Sequence, residues 1–342
     1  MGKSKIDKEL ILNKDYALDT MNAGVLIITK DGHIAYANPK AVDILELTTN
    51  DTVFFKDVLS SPERTNDELI DLVINTISNG VSQESAVINY VSANNTHYTL
   101  LMHCTMMSDE EFVFTFSDET QLHEEMQKRR DSTSVLVAFF LIGCLWTILV
   151  SVWMRTGERI YVGNLTIIME VIGLAALLVL LKLTSFTIKD FGLSTKNIGP
   201  TLKRAVLRVI ALFAAFVVVK LIMLKVYPAY FKSNKPFWDW GDVDYRLIKY
   251  LFTAFVQEFL ARGGVQEALS RVFSGKHAKD YAIFLTSIYF ASLHFQYGLA
   301  MMFGAGILSI LLGYMYKEDG NIYGVTLFHY FFGKLADFLS LV

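Results

Sequence analysis

The chain has 342 residues, of which 53% are hydrophobic and 19% are charged, with a net charge of −3 and a mean hydropathy of +0.37. These values are too apolar for an average soluble protein and too charged for a bare helix bundle, so we expect a soluble part joined to a membrane part. No long run of one charge sign occurs, so the charge pattern gives no indication of a nucleic-acid partner. The two cysteines lie in different regions and predict no disulfide framework.

Residues 1–14 are interpreted as an N-terminal extension. This stretch lacks the apolar core and the cleavage site of a secretory signal, so we expect the domain that follows it to stay in the cytoplasm.

Residues 15–118 predict a soluble α+β domain. Two β-rich segments, GVLIIT and HIAYAN, flank the turn pair Asp31-Gly32 and predict a hairpin. The segment PKAVDILEL opens a helix at Pro39, and residues 66–79 repeat the helical period. Three further strand-like segments follow, QESAVINYV, HYTLLMHCTM and EFVFTFS. This order is typical of a small antiparallel sheet flanked by helices.

The segment GVLIITKDGHIAYANPKAVDIL resembles the opening of a PAS domain, and FTFSDETQLHEEM resembles its last strand running into an output helix. The resemblance implies a sensor or dimerisation module at 15–118, which we call the PAS-like domain. Its ligand stays open among a small molecule, haem or flavin. Candidate haem ligands are His33, His97, His103 and His123, although a single histidine on a strand is more often solvated.

A charged segment at 119–133 predicts a connector helix that runs into the first apolar stretch. A helix here either transmits movement from the PAS-like domain or serves as a solvated connector. We also expect homodimerisation through the PAS-like domain and this connector.

The rest of the chain predicts an all-α, multi-pass helix bundle in the bilayer of the cell membrane, with a first transmembrane helix at 134–160 and about six further spans within 161–342. The seven apolar runs lie at 134–154, 164–184, 204–226, 246–266, 280–298, 299–316 and 321–341. Lys128, Arg129 and Arg130 precede the first run, which by the positive-inside rule places the N-terminal domain in the cytoplasm.

A few ionisable side chains interrupt these apolar runs, where a charge is costly and persists only with a partner or a function. Glu258 and Arg262 are four residues apart and share a helix face, with Gln257 beside them. His294 and His329 lie in two other runs. A carboxylate or histidine of this set can take a proton from water while the second histidine donates to an oxyanion, so peptide hydrolysis is the predicted chemistry.

Two other interpretations use the same side chains. Glutamate with two histidines provides ligand types that zinc prefers, but the HExxH spacing is missing, which disfavours a metal. Glu258 and Arg262 can instead form an internal ion pair that only fixes helix packing, with the histidines bonded to carbonyl groups.

Three segments are similar in order and spacing to the motifs EExxxR, FxxxH and HxxxN of the CAAX-protease and bacteriocin-processing family of intramembrane endopeptidases, also called the CPBP or Abi family. They are QEFLARG at 257–263, FASLH at 290–294 and NIYGVTLFH at 321–329. The resemblance covers about residues 160–342 and implies cleavage of a peptide or membrane-protein substrate inside the membrane.

The resemblance assigns motif positions residue by residue, matching Glu258, Arg262, Phe290, His294 and His329. Two positions depart from it. Gln257 stands where the family has the glutamate that activates water, and an amide cannot take up that proton. Gly333 stands where the family has an Asn or Asp that contacts the oxyanion.

We therefore predict a membrane endopeptidase controlled by a cytoplasmic PAS-like sensor, in which Glu258 and His294 position or activate water, His329 stabilises the oxyanion and Arg262 orients Glu258. The alternative is a PAS-coupled receptor or scaffold that kept the cavity and lost the base at Gln257. A transporter is disfavoured because the charged sites cluster in the last four predicted spans without two matching halves.

Overall fold

The computed structural model describes residues 17–47, 54–56, 66–79, 85–92, 94–108, 110–156, 162–228, 237–238 and 245–339. The extension predicted at 1–14 lies outside these residues. Contacts divide the chain into two compact units, 1–126 and 127–342, which are described separately.

The described part of the first unit is a five-stranded antiparallel sheet with two helices between its second and third strands. Its elements are β1 (Gly24–Thr29), β2 (Ile34–Ala37), α1 (Pro39–Leu45), α2 (Asp67–Asn79), β3 (Ser85–Val91), β4 (His97–Met106) and β5 (Glu111–Asp118). The strand order is β2-β1-β5-β4-β3, so the first and last strands in sequence pair at the centre. The predicted order of two strands, helices and three strands is confirmed.

Strict alternation of side chains along β5 builds the core of this sheet. Phe112, Phe114 and Phe116 point inward and are buried, while the residues between them are partly exposed. Gly24 on β1 leaves room for the last of these rings, since a Cβ there would lie 2.4 Å from Phe116. Asn38 begins α1 by accepting the backbone N–H of Ala41 at 2.9 Å.

The second unit is helical. Its elements are α3 (Thr120–Arg155), α4 (Val162–Leu183), α5 (Ile198–Val226), α6 (Tyr245–Glu258), a π-helical segment (Phe259–Gln266), α7 (Glu267–Val272), α8 (Ala278–Ser292), a 3₁₀ turn (Phe295–Tyr297), α9 (Leu299–Asp319) and α10 (Tyr323–Phe338). The predicted connector at 119–133 and most of the predicted first span at 134–160 form one continuous helix, α3; residues 157–160 lie outside the described residues.

Four of the described helices, α3, α4, α5 and α9, are long and apolar enough to cross a membrane. Only 6% of the most apolar window of α5 is buried, so this helix turns its apolar side chains outward, as a helix surrounded by lipid does. The remaining three predicted spans coincide with helices that are shorter or more polar, α6 with the π-helical segment, α8 and α10. A helical part with several apolar helices that could span a membrane is confirmed, whereas the count of seven spans stays a prediction.

Candidate active site

The π-helical segment begins directly after Glu258, and two glycines let neighbouring elements approach it. A Cβ at Gly263 would lie 2.2 Å from the backbone carbonyl oxygen of Phe191, and one at Gly264 would lie 2.9 Å from the Phe139 ring. The two glycines of ARGG thus leave the space in which two other segments pack against this helix. Such π-helical turns occur frequently at functional sites.

Three of the predicted residues form a fully enclosed polar cluster. Glu258 accepts from Arg262 Nε through Oε2 at 2.9 Å and from His329 Nδ1 through Oε1 at 2.8 Å. The side chains of Glu258 and Arg262 have no exposed surface. The predicted sharing of a helix face by Glu258 and Arg262 is therefore confirmed, and the histidine comes from α10 to complete the cluster.

Each of the three nitrogens of the Arg262 guanidinium donates a hydrogen bond. Beside the bond from Nε to Glu258, Nη1 donates to Gln266 Oε1 at 3.1 Å, and Nη2 donates to Ser309 Oγ of α9 at 2.7 Å. Gln266 in turn donates to the carbonyl oxygen of Gly313 at 3.2 Å. A buried charge with a hydrogen bond at each nitrogen holds its neighbours in one arrangement, so this network fixes α9 and α10 against the π-helical segment.

His294 lies two residues beyond the end of α8 and is separated from this cluster by an aromatic ring. Its Nδ1 lies 2.8 Å from the carbonyl oxygen of Phe290, which can only accept, so Nδ1 carries the hydrogen and the neutral ring leaves Nε2 as an acceptor. The Phe290 ring contacts both histidines, with centroids 4.7 Å from His294 and 6.3 Å from His329.

A cavity of about 160 Å³ adjoins His294. Its described lining comes from four stretches of the chain. They are Phe139, Ile142, Gly143 and Trp146 of α3; Thr166, Met169 and Glu170 of α4; Gln257, Leu260, Ala261 and Val265 of α6 and the π-helical segment; and Thr286, Tyr289, Phe290, Leu293, His294, Gln296 and Tyr297 of α8 and the turn after it. Of the predicted site residues, Gln257, Phe290 and His294 belong to this described lining. Glu258, Arg262 and His329 lie behind it.

Glu170 of α4 is a site residue that the sequence analysis missed. It is 7% exposed, and its carboxylate accepts from Gln257 Nε2 at 3.2 Å and from Thr253 Oγ1 at 3.3 Å. The available signal was a single acidic residue inside the apolar run IIMEVIG, which by the cost of a buried charge should have been counted with the other ionisable residues.

Two polar atoms at the described cavity wall lack a partner among the described residues. They are Thr286 Oγ1, one turn before Phe290, and Gln296 Oε1, in the 3₁₀ turn. Because buried polar groups are nearly always hydrogen-bonded, these two atoms are available to bond a water molecule or a ligand in the cavity.

The place next to Gly333 is filled by another side chain. A Cβ at Gly333 would lie 2.2 Å from the hydroxyl of Tyr250, whose ring also contacts His329 with centroids 6.3 Å apart. A phenol hydroxyl thus lies where the motif of the CAAX-protease family would place a carboxamide or a carboxyl group.

No group of three or more His, Cys, Asp or Glu side chains converges on a metal-sized site within the described ranges. The carboxylate of Glu258, the oxygen ligand of the zinc alternative, bonds directly to His329 and Arg262.

The histidines considered as haem ligands do not gather in one place. His97, His103 and His123 are exposed, and His103 Nδ1 lies 2.7 Å from the hydroxyl of Ser85. His33 is half-buried against the ring of Phe54, with centroids 3.9 Å apart. The ligand of the PAS-like domain stays a prediction.

Comparison with solved structures gives similarity to PAS domains over the N-terminal third of the chain. The RNA-binding Light-Oxygen-Voltage receptor matches at 14% identity with a TM-score of 0.28, and the match covers 33% of this chain and 34% of that one. A PAS domain from Colwellia psychrerythraea matches at 12% identity with a TM-score of 0.28, covering 33% of this chain and 98% of that one. The PAS domain of the fruit-fly ELK potassium channel matches at 13% identity with a TM-score of 0.27, covering 32% and 97%.

Comparison with curated proteins returned no match. Comparison with protein families identified residues 240–333 as similar to the family described as type II CAAX prenyl endopeptidase Rce1-like. This range contains α6, the π-helical segment, α7, α8, the 3₁₀ turn, α9 and most of α10, and it includes Glu258, Arg262, His294 and His329. The resemblance to the CAAX-protease family predicted from the sequence is therefore confirmed for residues 240–333.

Proposed function

We propose that this protein is a membrane-embedded endopeptidase of the CAAX-protease type, regulated by its PAS-like domain. The observation that carries the proposal is the pairing of a buried Glu258–Arg262–His329 cluster with an adjoining cavity lined by His294, within the segment that matches the Rce1-like family. The substrate is a peptide or a membrane protein. Because the family description names a prenyl endopeptidase, isoprenylated CAAX peptides are the first candidates.

The geometry supports different roles for the two histidines. His294 reaches the cavity, and its Nε2 is the nitrogen left to accept a hydrogen bond from water. His329 is held by Glu258, and a carboxylate at Nδ1 stabilises the charged imidazole, which makes Nε2 a donor for the oxyanion. Arg262 keeps Glu258 in place. In the described arrangement Phe290 lies between His329 and His294, so we expect its ring to move when substrate binds.

Regulation by the PAS-like domain is supported by the contacts of α3. This helix begins two residues after β5 and contributes four residues to the cavity lining. Trp146 Nε1 donates to the carbonyl oxygen of Leu293 at 2.9 Å, and the Tyr289 hydroxyl donates to the carbonyl oxygen of Phe139 at 2.5 Å. A small movement of α3 therefore acts on the residue before His294.

The test is cleavage of isoprenylated and plain peptides by the full chain in lipid nanodiscs, beside Glu258→Gln and Gln257→Glu. We expect the native chain to cleave, and Glu258→Gln to lose at least about tenfold, since an amide lacks the negative charge that holds His329 and Arg262 in place. Activity that appears only in Gln257→Glu contradicts the proposal.

A second candidate is a PAS-coupled receptor without catalysis. It is favoured by Gln257, which has no basic oxygen, and by Gly333, whose neighbouring space is filled by Tyr250. A receptor binds peptide at the cavity but releases it intact. Binding without cleavage, measured by fluorescence anisotropy of the same peptides, would identify this function.

A further inference from the structure

We propose that Glu170 is the catalytic base of this site, supplying from α4 the carboxylate that Gln257 lacks. This inference deepens the proposed function and rests on it.

The position of Glu170 is the first observation that supports this proposal. Its side chain lines the same cavity as His294, and it is the one carboxylate in the described part of that lining. Glu258 lies outside this lining, where its side chain is fully buried against Arg262 and His329. A water molecule in the cavity therefore meets Glu170 rather than Glu258.

The hydrogen bonds of the Glu170 carboxylate are the second supporting observation. Each of its oxygens accepts one long hydrogen bond from a neutral donor, 3.2 Å from Gln257 and 3.3 Å from Thr253. A carboxylate has about four acceptor positions, so capacity remains for water. Lys249 of α6 acts on this carboxylate through its charge but makes no described hydrogen bond to it. A carboxylate buried in an apolar helix is costly, which indicates a functional reason for its presence.

The other polar groups of the cavity wall are the third supporting observation. Thr286 Oγ1 and Gln296 Oε1 are unpartnered within the described residues and belong to the same cavity wall. Together with Glu170 and His294, they give a bound water several hydrogen-bonding groups, as a stable buried water requires.

The reaction balances with these groups. Glu170 accepts one proton from water while the water oxygen forms a bond to the carbonyl carbon of the scissile peptide. The resulting tetrahedral oxyanion then collapses, the carbon–nitrogen bond breaks, and Glu170 returns its proton to the leaving amine. Gln257 serves as a positioning residue, because its Nε2–H holds one oxygen of Glu170 in place.

The experiment exchanges the two side chains of this pair. Glu170→Gln removes the base at nearly constant volume, and Glu170→Gln with Gln257→Glu moves the carboxylate across the hydrogen bond. Peptide cleavage by full-length protein in nanodiscs gives kcat and KM, and Glu318→Gln on the exposed end of α9 is the matched control. Circular dichroism and thermal unfolding report whether each variant is folded.

We expect kcat of Glu170→Gln to fall about 100-fold or more with KM little changed, since general bases contribute about 10²–10⁴. The acidic limb of the pH–rate profile should also disappear in Glu170→Gln. Substitution of a residue with only a structural role would leave that limb unchanged. The protein with both exchanges should recover kcat to within about tenfold of native, because the carboxylate has moved only to the neighbouring, hydrogen-bonded position.

Three outcomes overturn the inference. If Glu170→Gln keeps kcat within about fivefold of native while Glu258→Gln does not, Glu170 is not the base and the endopeptidase function stands. If Glu170→Gln fails to fold, the exchanged pair decides, and a folded but inactive pair contradicts the proposal. If the native chain cleaves no peptide at all, the proposed function fails and the inference fails with it.

Discussion

The two units of this protein build their interiors from different chemistry. The sheet of the PAS-like domain closes over apolar side chains such as Phe112, Phe114 and Phe116, and its buried asparagines serve the backbone. The helical unit buries Glu258 and Arg262 with no exposed surface. Burial of charge is costly and is retained where it has a use, so the contrast indicates that the chemistry of this protein lies in the helical unit.

Removing the cation of the buried cluster should have the largest effect. Arg262→Met leaves Glu258 without its cation, and breaking a buried pair costs about 3–5 kcal/mol. Unfolding in detergent by SDS titration, followed by tryptophan fluorescence, measures this loss. Arg129→Met, at an exposed position of α3, is the matched control and should change stability by less than about 0.5 kcal/mol.

The double variant Glu258→Leu with Arg262→Met distinguishes the cost of an unpaired buried charge from the stabilisation that the ion pair itself provides. It should be more stable than Arg262→Met alone, because both charges are gone. If the single variant is as stable as native, the cluster is not a buried ion network and the contrast between the units is lost.

Close approach at the π-helical segment predicts the next effect. Gly263→Ala puts a Cβ against the carbonyl oxygen of Phe191, a backbone atom that cannot move aside, and overpacking of this kind costs about 1–3 kcal/mol. Gly304→Ala on α9 is the control, since no atom lies within 4 Å of its Cβ position. The same unfolding assay compares them, and equal stability of the two variants contradicts the tight packing described for Gly263.

Asn38 is a buried polar residue of the PAS-like domain, and its role is structural. It can therefore be compared with the buried polar residues of the helical unit. Its oxygen accepts from Val25 N and Ala41 N, and its nitrogen donates to the carbonyl oxygens of Leu18 and Ala23, all at 2.9 Å. Asn38→Ala should cost about 2 kcal/mol and raise hydrogen exchange in β1, measured by mass spectrometry on the full chain.

Cleavage activity is the discriminating readout for the Asn38 variant. Exposed Asn89→Ala on β3 is the control and should leave exchange in β1 unchanged. Loss of basal cleavage as large as that of a helical-unit variant would show that the two interiors are not divided between structure and chemistry.

The smallest effect is expected outside the predicted spans, at Asp190 in the segment between α4 and α5. Burial opposes ionisation of this carboxyl, but hydrogen bonds from Thr187 and Arg271 outweigh it and lower its pKa. A lowered folded pKa means that the bond stabilises the protein above the unfolded pKa and is lost as pH falls through the folded pKa.

Asp190→Asn should therefore reduce stability by less than about 1 kcal/mol at pH near 7, since the pair is partly exposed. The difference from native should vanish in acid, below the lowered pKa. Thermal unfolding of both proteins across pH measures it, and a difference that grows in acid contradicts this assignment.

Much of this architecture was predictable, because it depends on local patterns. Alternation in EFVFTFS predicts β5, Asp31-Gly32 predicts the hairpin, and the four-residue spacing of Glu258 and Arg262 predicts their ion pair. These features need only neighbours along the chain.

The remaining features depend on contacts between distant segments. Glu170 and Gln257 are 87 residues apart, and only the packing of α4 against α6 brings the carboxylate to the amide. The separation of His294 from His329 by Phe290, and the filling of the space beside Gly333 by Tyr250, likewise follow from helix packing. Sequence spacing carries no information about such contacts.

The central claim, that the cavity beside His294 cleaves peptides, is tested most directly by measuring cleavage and unfolding together in His294→Ala. This residue lies at the cavity and makes one described side-chain hydrogen bond, to Phe290. We predict that cleavage falls about 100-fold or more, while the free energy of unfolding stays within about 1 kcal/mol of native. Undiminished cleavage by folded His294→Ala would contradict the account.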